Sequence, residues 1–286
     1  MLPPVNYKRV NNLDELLFLL SSKKDIKLLA GGTDLVVKMR KSRTLYNIVD
    51  ISKLNEFCFI RENGNKIRIG SLTTHSEIAQ SSIIMNKAKP LALASSTVGS
   101  PSIRNLGTIG GNIVNASPAA DTLPALALLD GNLILTSIGG KRTISISDFI
   151  KGAYKTDIQP GEILTEIVID SLSPNTFSYF LKLGRRNALA IARLSVAVAL
   201  TIVDSKITEA RISPGAVFRS PHRVKPAEDY LIGKEPSVEL FAEAGKIVSS
   251  EMIKVTGIRW STPYKEPVLA ALVKRALMLS LGWEVK

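Results

Sequence analysis

The sequence predicts an α+β protein: a two-lobed α+β N-terminal domain over residues 1–172, then a C-terminal domain over 173–286 with a three-stranded antiparallel sheet and a helical bundle. Two observations lead there. Strand-like and helix-like segments are intermixed as far as about residue 170, after which three consecutive strand patterns are followed only by helical ones. Ser173-Pro174-Asn175 interrupts the pattern at that change, and no internal repeat or low-complexity linker divides the chain elsewhere. A third observation concerns function. A glycine-rich stretch from Val98 to Asp121 reads as irregular and is too long for a simple connection, which marks it as functional.

The elements follow in order. Leu13 to Leu17 opens a short amphipathic helix with Asn12 as its cap. Ile26 to Ala30 reads as a buried strand and Asp34 to Lys41 as a helix, with the turn Gly31-Gly32-Thr33 between them. Tyr46 to Ile51 is a second strand. Phe57–Arg61 and Lys66–Gly70 form a hairpin around Asn63-Gly64, a dipeptide that accepts positive φ. Thr74 caps a helix from His75 to Gln80, and Lys87 to Ser96 is helical. Leu133–Thr136 and Arg142–Ile146 make a hairpin over Gly139-Gly140, and Ile163–Ile169 is a strand. The C-terminal meander is Phe177–Leu183, Ala190–Val203 and Lys206–Ile212, broken at Ser213-Pro214-Gly215. Helices then cover Ala227–Ile232, Val238–Ser250 and Glu266–Leu281.

Composition narrows the function. Hydrophobic residues make up 45% and charged residues 22% of 286, as in a soluble globular protein. No apolar run approaches the ~18 residues of a membrane helix, and the first 30 residues carry no secretory pattern, so the expected location is the cytoplasm. The single cysteine, Cys58, lies in a segment that reads as a buried strand. One thiol cannot hold an iron–sulfur cluster, and with only His75 and His222 a zinc site is not expected. Any redox role therefore rests on an organic cofactor. The net charge of +12 raises nucleic acid, but the 37 basic residues form no block and no nucleic-acid module, so no such partner is expected. Two windows, Ile78–Ala120 and Ser171–Val203, contain no Asp or Glu yet keep Lys87, Lys89 and Arg104 in one, and Lys182, Arg185, Arg186 and Arg193 in the other. Such windows suit a bound anion.

Two segments carry the chemistry. Leu29-Ala30-Gly31-Gly32-Thr33-Asp34-Leu35 runs from a strand through two glycines into a helix, exposing amides that favour a phosphate; an ordinary corner capped by Thr33 or Asp34 reads equally from these residues. The G-x-G-x-x-G fingerprint is absent. The second segment, Asn105 to Asp121, holds Gly107, Thr108, Gly110, Gly111 and Asn112 and ends on a carboxylate. Two glycine loops with small hydroxyl side chains suit a pyrophosphate gripped from two sides.

These paired loops, together with Ile69-Gly70-Ser71-Leu72-Thr73-Thr74-His75, Ala116–Asp121, Pro160-Gly161-Glu162-Ile163-Leu164, Lys182–Arg186, Gly215 and Pro221-His222-Arg223 leading to Glu228, resemble the FAD-binding medium subunit of molybdenum hydroxylases over nearly the whole chain. That group includes the medium chains of aerobic carbon monoxide dehydrogenase and of xanthine, nicotinate, quinoline and aldehyde dehydrogenases. The resemblance implies FAD bound without a covalent link. The loop from Leu29 to Leu35 and the loop with Thr108, Gly110, Gly111 and Asn112 would hold its pyrophosphate and ribityl groups. Asp121 would accept hydrogen bonds from the flavin portion, or serve only as a helix cap. Leu164 would pack on the ring system, Val98 would line the site, and Lys182 would stand near the pyrimidine end of the flavin, or be a solvated strand lysine. His75 would pack beside the FAD without acid–base work, and Arg185 and Arg186 would guide an acceptor, contact a partner or simply be solvated. The implied partners are a small iron–sulfur subunit with 2Fe-2S clusters and a large molybdopterin subunit, in a dimer of heterotrimers. Two other readings predict different behaviour: a stand-alone FAD-dependent oxidase with its own substrate pocket, and a colourless basic binding protein.

Overall fold

The computed structural model describes residues 3–23, 25–41, 44–186 and 189–284. Its first layer is a parallel three-stranded sheet, with Tyr46–Asp50 between Val5–Arg9 and Ile26–Leu29. The Leu13–Ser22 helix crosses from the first strand to the next and buries Leu16, Leu17 and Leu19; Asn12 caps it, its side chain accepting from the Glu15 N–H at 2.9 Å. The second sheet has five antiparallel strands in the order Ile60–Asn63, Lys66–Gly70, Ile163–Asp170, Asn132–Ser137, Gly140–Ser145. A large apolar core lies beneath it, formed by this sheet and the helices between His75 and Leu128.

The third sheet, Thr176–Leu183, Leu194–Val203 and Lys206–Gly215, is the expected antiparallel meander. Its central strand separates two cores by size. Leu194, Val196, Val198 and Leu200 face the core shared with the helices Lys225–Leu231, Val238–Thr256 and Thr262–Ser280. Ala197 and Ala199, on the opposite face, join the core of the N-terminal region. The C-terminal sheet is thus packed on both sides.

The structure corrects several expectations. The stretch Val98–Asp121 is not irregular: it contains the helices Pro101–Leu106 and Ile109–Asn115, each opened by a side-chain cap (Ser100, Thr108). Cys58 is exposed rather than buried, because the chain there turns through a short helix at Asn55–Phe57 before the strand begins at Ile60. The first hairpin pairs Asn63 with Lys66, so its two-residue turn is Gly64-Asn65, with Gly64 at φ 60° taking the position that disfavours a side chain. The last strand runs on through Ser213-Pro214-Gly215, and Pro214 is tolerated because that strand is the edge of its sheet. No helix among the described residues is long and apolar enough to cross a membrane, and no cluster of three metal-ligating side chains occurs among them.

Candidate functional site

The two glycine segments meet. His75 N–H donates to Gly107 O (3.0 Å) and Ile109 N–H to Thr73 O (3.0 Å), bridging Thr74 to Thr108. A side chain on Gly31 would start 1.7 Å from Leu106 O, so the first loop lies directly on the second. Between them, the Ile163–Asp170 strand and the start of the C-terminal sheet opens a cleft of about 1400 Å³. That exceeds the roughly 300–1,000 Å³ of a common small-ligand site and suits an extended dinucleotide. Ala30, Gly31, Gly32, Thr33, Asp34, Leu35, Val98, Thr108, Gly110, Gly111, Asn112, Asp121, Leu164 and Lys182 all line it. Leu29 does not: as the last strand residue it stands behind Gly32, its Cδ1 3.2 Å from where a Gly32 side chain would begin.

The two loops make different contributions, which the sequence had treated as alike. In the first, no hydrogen bond among the described residues uses the backbone N–H of Gly31, Gly32, Thr33, Asp34 or Leu35. Asp34 stands at the helix start without a capping bond. These successive amides, turned by Gly32 at φ 70°, form a concavity of donors suited to an anion. In the second loop the amides are already engaged. Gly110 N–H donates to Ser71 O (2.9 Å), Gly111 N–H to Thr108 Oγ1 (3.1 Å) and Asn112 N–H to Thr108 O (3.0 Å). Gly110 is required by the protein itself, since a Cβ there would lie 2.6 Å from Ser71 O. Gly111 faces open space, and a Cβ on it would meet only Thr108 Oγ1, at 3.0 Å. Of the second loop's glycines, this one allows close approach of a ligand.

Also on the cleft wall, Lys182 and Asp121 form a buried ion pair, Nζ to Oδ2 at 2.5 Å, with side chains 12% and 6% exposed. Lys182 also donates to Thr97 O at 3.0 Å, and the Thr97 hydroxyl reaches Asp121 Oδ2 at 3.4 Å. Asp121 precedes the Thr122–Leu128 helix but makes no capping bond, so the cap reading fails. Lys182 is likewise not a solvated strand lysine. Burial pushes the Asp121 carboxyl up to about 6, against the opposing pull of Lys182 and Thr97. Its second oxygen, Oδ1, is sealed from solvent and has no donor among the described residues. Leu164 reaches the cleft beside a bulge between Leu164 and Glu166, which shifts the strand register and re-aims the side chain.

The acid-free windows do not surround the cleft with cations. Lys87 pairs with Glu62 at 2.9 Å, Arg104 braces the Val98 and Gly99 carbonyls (both 3.2 Å), and Arg193 stacks over Tyr264 at 5.3 Å. Arg185 and Arg186 are exposed. Lys182 alone of these residues lines the wall. Thr97 and Tyr154 were missed in the sequence. Tyr154 lines the cleft with Lys38 Nζ 5.2 Å above its ring, in a contact between residues over a hundred positions apart that no local pattern announces.

A flavin dinucleotide fits these residues. Free amides suit its diphosphate, the open Gly111 permits close approach, and Asp121 and Lys182 put a carboxylate and a cation on the wall. Comparison with known proteins agrees. Residues 3–171 match the FAD binding domain in molybdopterin dehydrogenase, and residues 179–279 match the CO dehydrogenase flavoprotein C-terminal domain. The chain is 33% identical to the glyceraldehyde dehydrogenase medium chain of Sulfolobus acidocaldarius, covering 96% of this chain and 97% of that one. It is 34% identical to the nicotinate dehydrogenase FAD-subunit of Eubacterium barkeri, covering 92% and 91%. A solved carbon monoxide dehydrogenase structure from Hydrogenophaga pseudoflava contains a chain that superposes with a TM-score of 0.90 at 26% identity, covering 98% of each. The chain belongs to the FAD-binding medium subunits of the molybdenum hydroxylases.

Proposed function

We propose that this medium chain holds one FAD non-covalently and carries electrons from the 2Fe-2S clusters of a small partner chain to a terminal acceptor, while a large molybdopterin chain oxidises the substrate. The assembly is a dimer of such heterotrimers in the cytoplasm. The observation that carries this reading is a single cleft lined both by the unspent amides of the first loop and by the buried Asp121–Lys182 pair. When bound, a flavin supplies the exchange of electrons singly or in pairs. The chain's own residues do the rest. The Gly31–Leu35 amides and the Thr33 hydroxyl hold the diphosphate, and Gly111 lets it approach. Asp121 accepts from the flavin, Val98 and Leu164 set its ring in place, and Lys182 supplies a fixed positive charge where reduction adds negative charge. Among the described residues the cleft wall has no cysteine, and its histidine, His75, is buried, which supports a link without a covalent bond. We also place the boundary between FAD-binding and C-terminal domains at residues 170–176, where the five-stranded sheet ends and the meander begins.

Purification from the native source tests the reading. The chain is expected with a cysteine-rich chain and a much larger one, and with FAD that leaves on denaturation. Alone, its flavin is expected to be reduced by dithionite but not by aldehydes, purines or carbon monoxide. A lone chain that turns over such a substrate would establish the stand-alone oxidase instead.

A further inference from the structure

His75 is 2% exposed and lines the cleft at the corner where the two loops meet. Its Cδ2 and the Thr33 Oγ1 each lie 3.4 Å from where a side chain on Gly107 would begin, so the imidazole and the Thr33 hydroxyl are both neighbours of Gly107. Nδ1 is sealed from solvent without a partner, and no described residue hydrogen-bonds Nε2. Burial, with Arg104 nearby, lowers the ring's pKa to about 4, so it is neutral near pH 7 and carries one N–H. A proton on the sealed Nδ1 would strand a buried donor, whereas Nε2 is not sealed, and a proton there is available to a group in the cleft that His75 lines.

We infer that His75, in the Nε2–H tautomer, donates a hydrogen bond to the diphosphate of the bound FAD, acting with Thr33 and the free Gly31–Leu35 amides. The inference rests on the FAD reading above and adds a residue to it. Two features support the diphosphate as acceptor: the free Gly31–Leu35 amides line the same cleft, and Thr33, which like His75 neighbours Gly107, has no side-chain partner among the described residues. A neutral donor stabilises the anion without placing a second charge beside Arg104.

The test measures FAD and ADP binding to the full apo chain by flavin fluorescence, with ADP as competitor. If the unaltered chain binds no FAD, the FAD reading itself is wrong. If it does, His75→Leu is expected to weaken FAD and ADP by the same factor, about 10- to 100-fold, as for a lost bond to a charged group. His75→Gln, which keeps an N–H at the equivalent position, is expected within about threefold of the unaltered chain by the same reasoning. Unchanged FAD affinity in His75→Leu overturns the inference, and so does a loss for FAD that ADP does not share. Should the leucine variant fail to fold, 15N-histidine spectra of the unaltered chain decide, with only His75 and His222 to assign. They are expected to show the Nε2–H tautomer and a shift of Nε2 on adding ADP. An Nδ1–H tautomer, or no response to ADP, overturns it.

Discussion

Gly31 and Gly111 look alike in the sequence and differ in what surrounds them. A Cβ on Gly31 would collide with Leu106 O at 1.7 Å, while one on Gly111 would meet only the Thr108 hydroxyl at 3.0 Å. Gly111→Val is therefore expected to abolish FAD binding with little change in melting temperature, whereas Gly31→Ala is expected to destabilise the fold by about 1–3 kcal/mol or more. Flavin content and thermal melts of the two variants check this. Asp121 adds a pH dependence. Its carboxyl, ordinarily near 3.8, is pushed to about 6 by burial. The folded chain therefore holds this proton more tightly than the unfolded one, and the group's contribution to stability falls as pH rises between those values. A hydrogen bond from the flavin to this carboxylate favours the ionised form. FAD affinity is thus expected to rise with pH through about 6, by up to about tenfold per unit below it, and Asp121→Asn is expected to lose that step. Fluorescence titrations from pH 5 to 8 measure both.

At the scale of elements, caps and hairpins were legible because they depend on neighbours in sequence. Asn12 caps its helix, and Thr74 forms a reciprocal capping box with Glu77. The Val98–Asp121 stretch was misread because Gly110 and Gly111 sit in the first turn of a helix whose amides are satisfied by Thr108 and by the distant Ser71. The parallel sheet is stitched in a way the sequence does not reveal. Asp50, at the end of the central strand, accepts from the Tyr7 hydroxyl, from Arg9 Nε (2.9 Å) and from Ser52 N–H (2.9 Å). Burial pushes this carboxyl up, but these hydrogen bonds outweigh it and hold it at about 2, from 3.8. A depressed acid stabilises the fold above its unfolded pKa and loses that contribution as pH falls. About 2 kcal/mol is expected to disappear between pH 4 and 2, and Asp50→Asn is expected to flatten that segment of the stability curve in urea titrations.

For the whole molecule, the two regions join through one strand. Ala197 and Ala199 face the N-terminal core while Val196, Val198 and Leu200 face the helices, a small–large alternation written in the sequence whose meaning appears only with both layers in place. Ala199→Leu is expected to lower stability by about 1–3 kcal/mol through overpacking against the N-terminal region, read as a lower melting temperature of the full chain. Lys182 lies on the neighbouring strand of this sheet, so the same layer that closes the N-terminal core also carries the cation to the cleft.

The sequence by itself determined most of the elements, the α+β order, the terminal meander and the two loops at the cleft, because periodicity, caps and turn residues act over a few positions. The resemblance to the family was written in the same short motifs. Tertiary structure alone decided which amides remain unspent, which glycine faces the cleft, and that Lys182 pairs with Asp121 across 61 positions while the other cations of the acid-free windows go elsewhere. Those outcomes depend on which distant groups reach each donor and acceptor first. Hydrogen bonding and burial settle that only once the layers have packed.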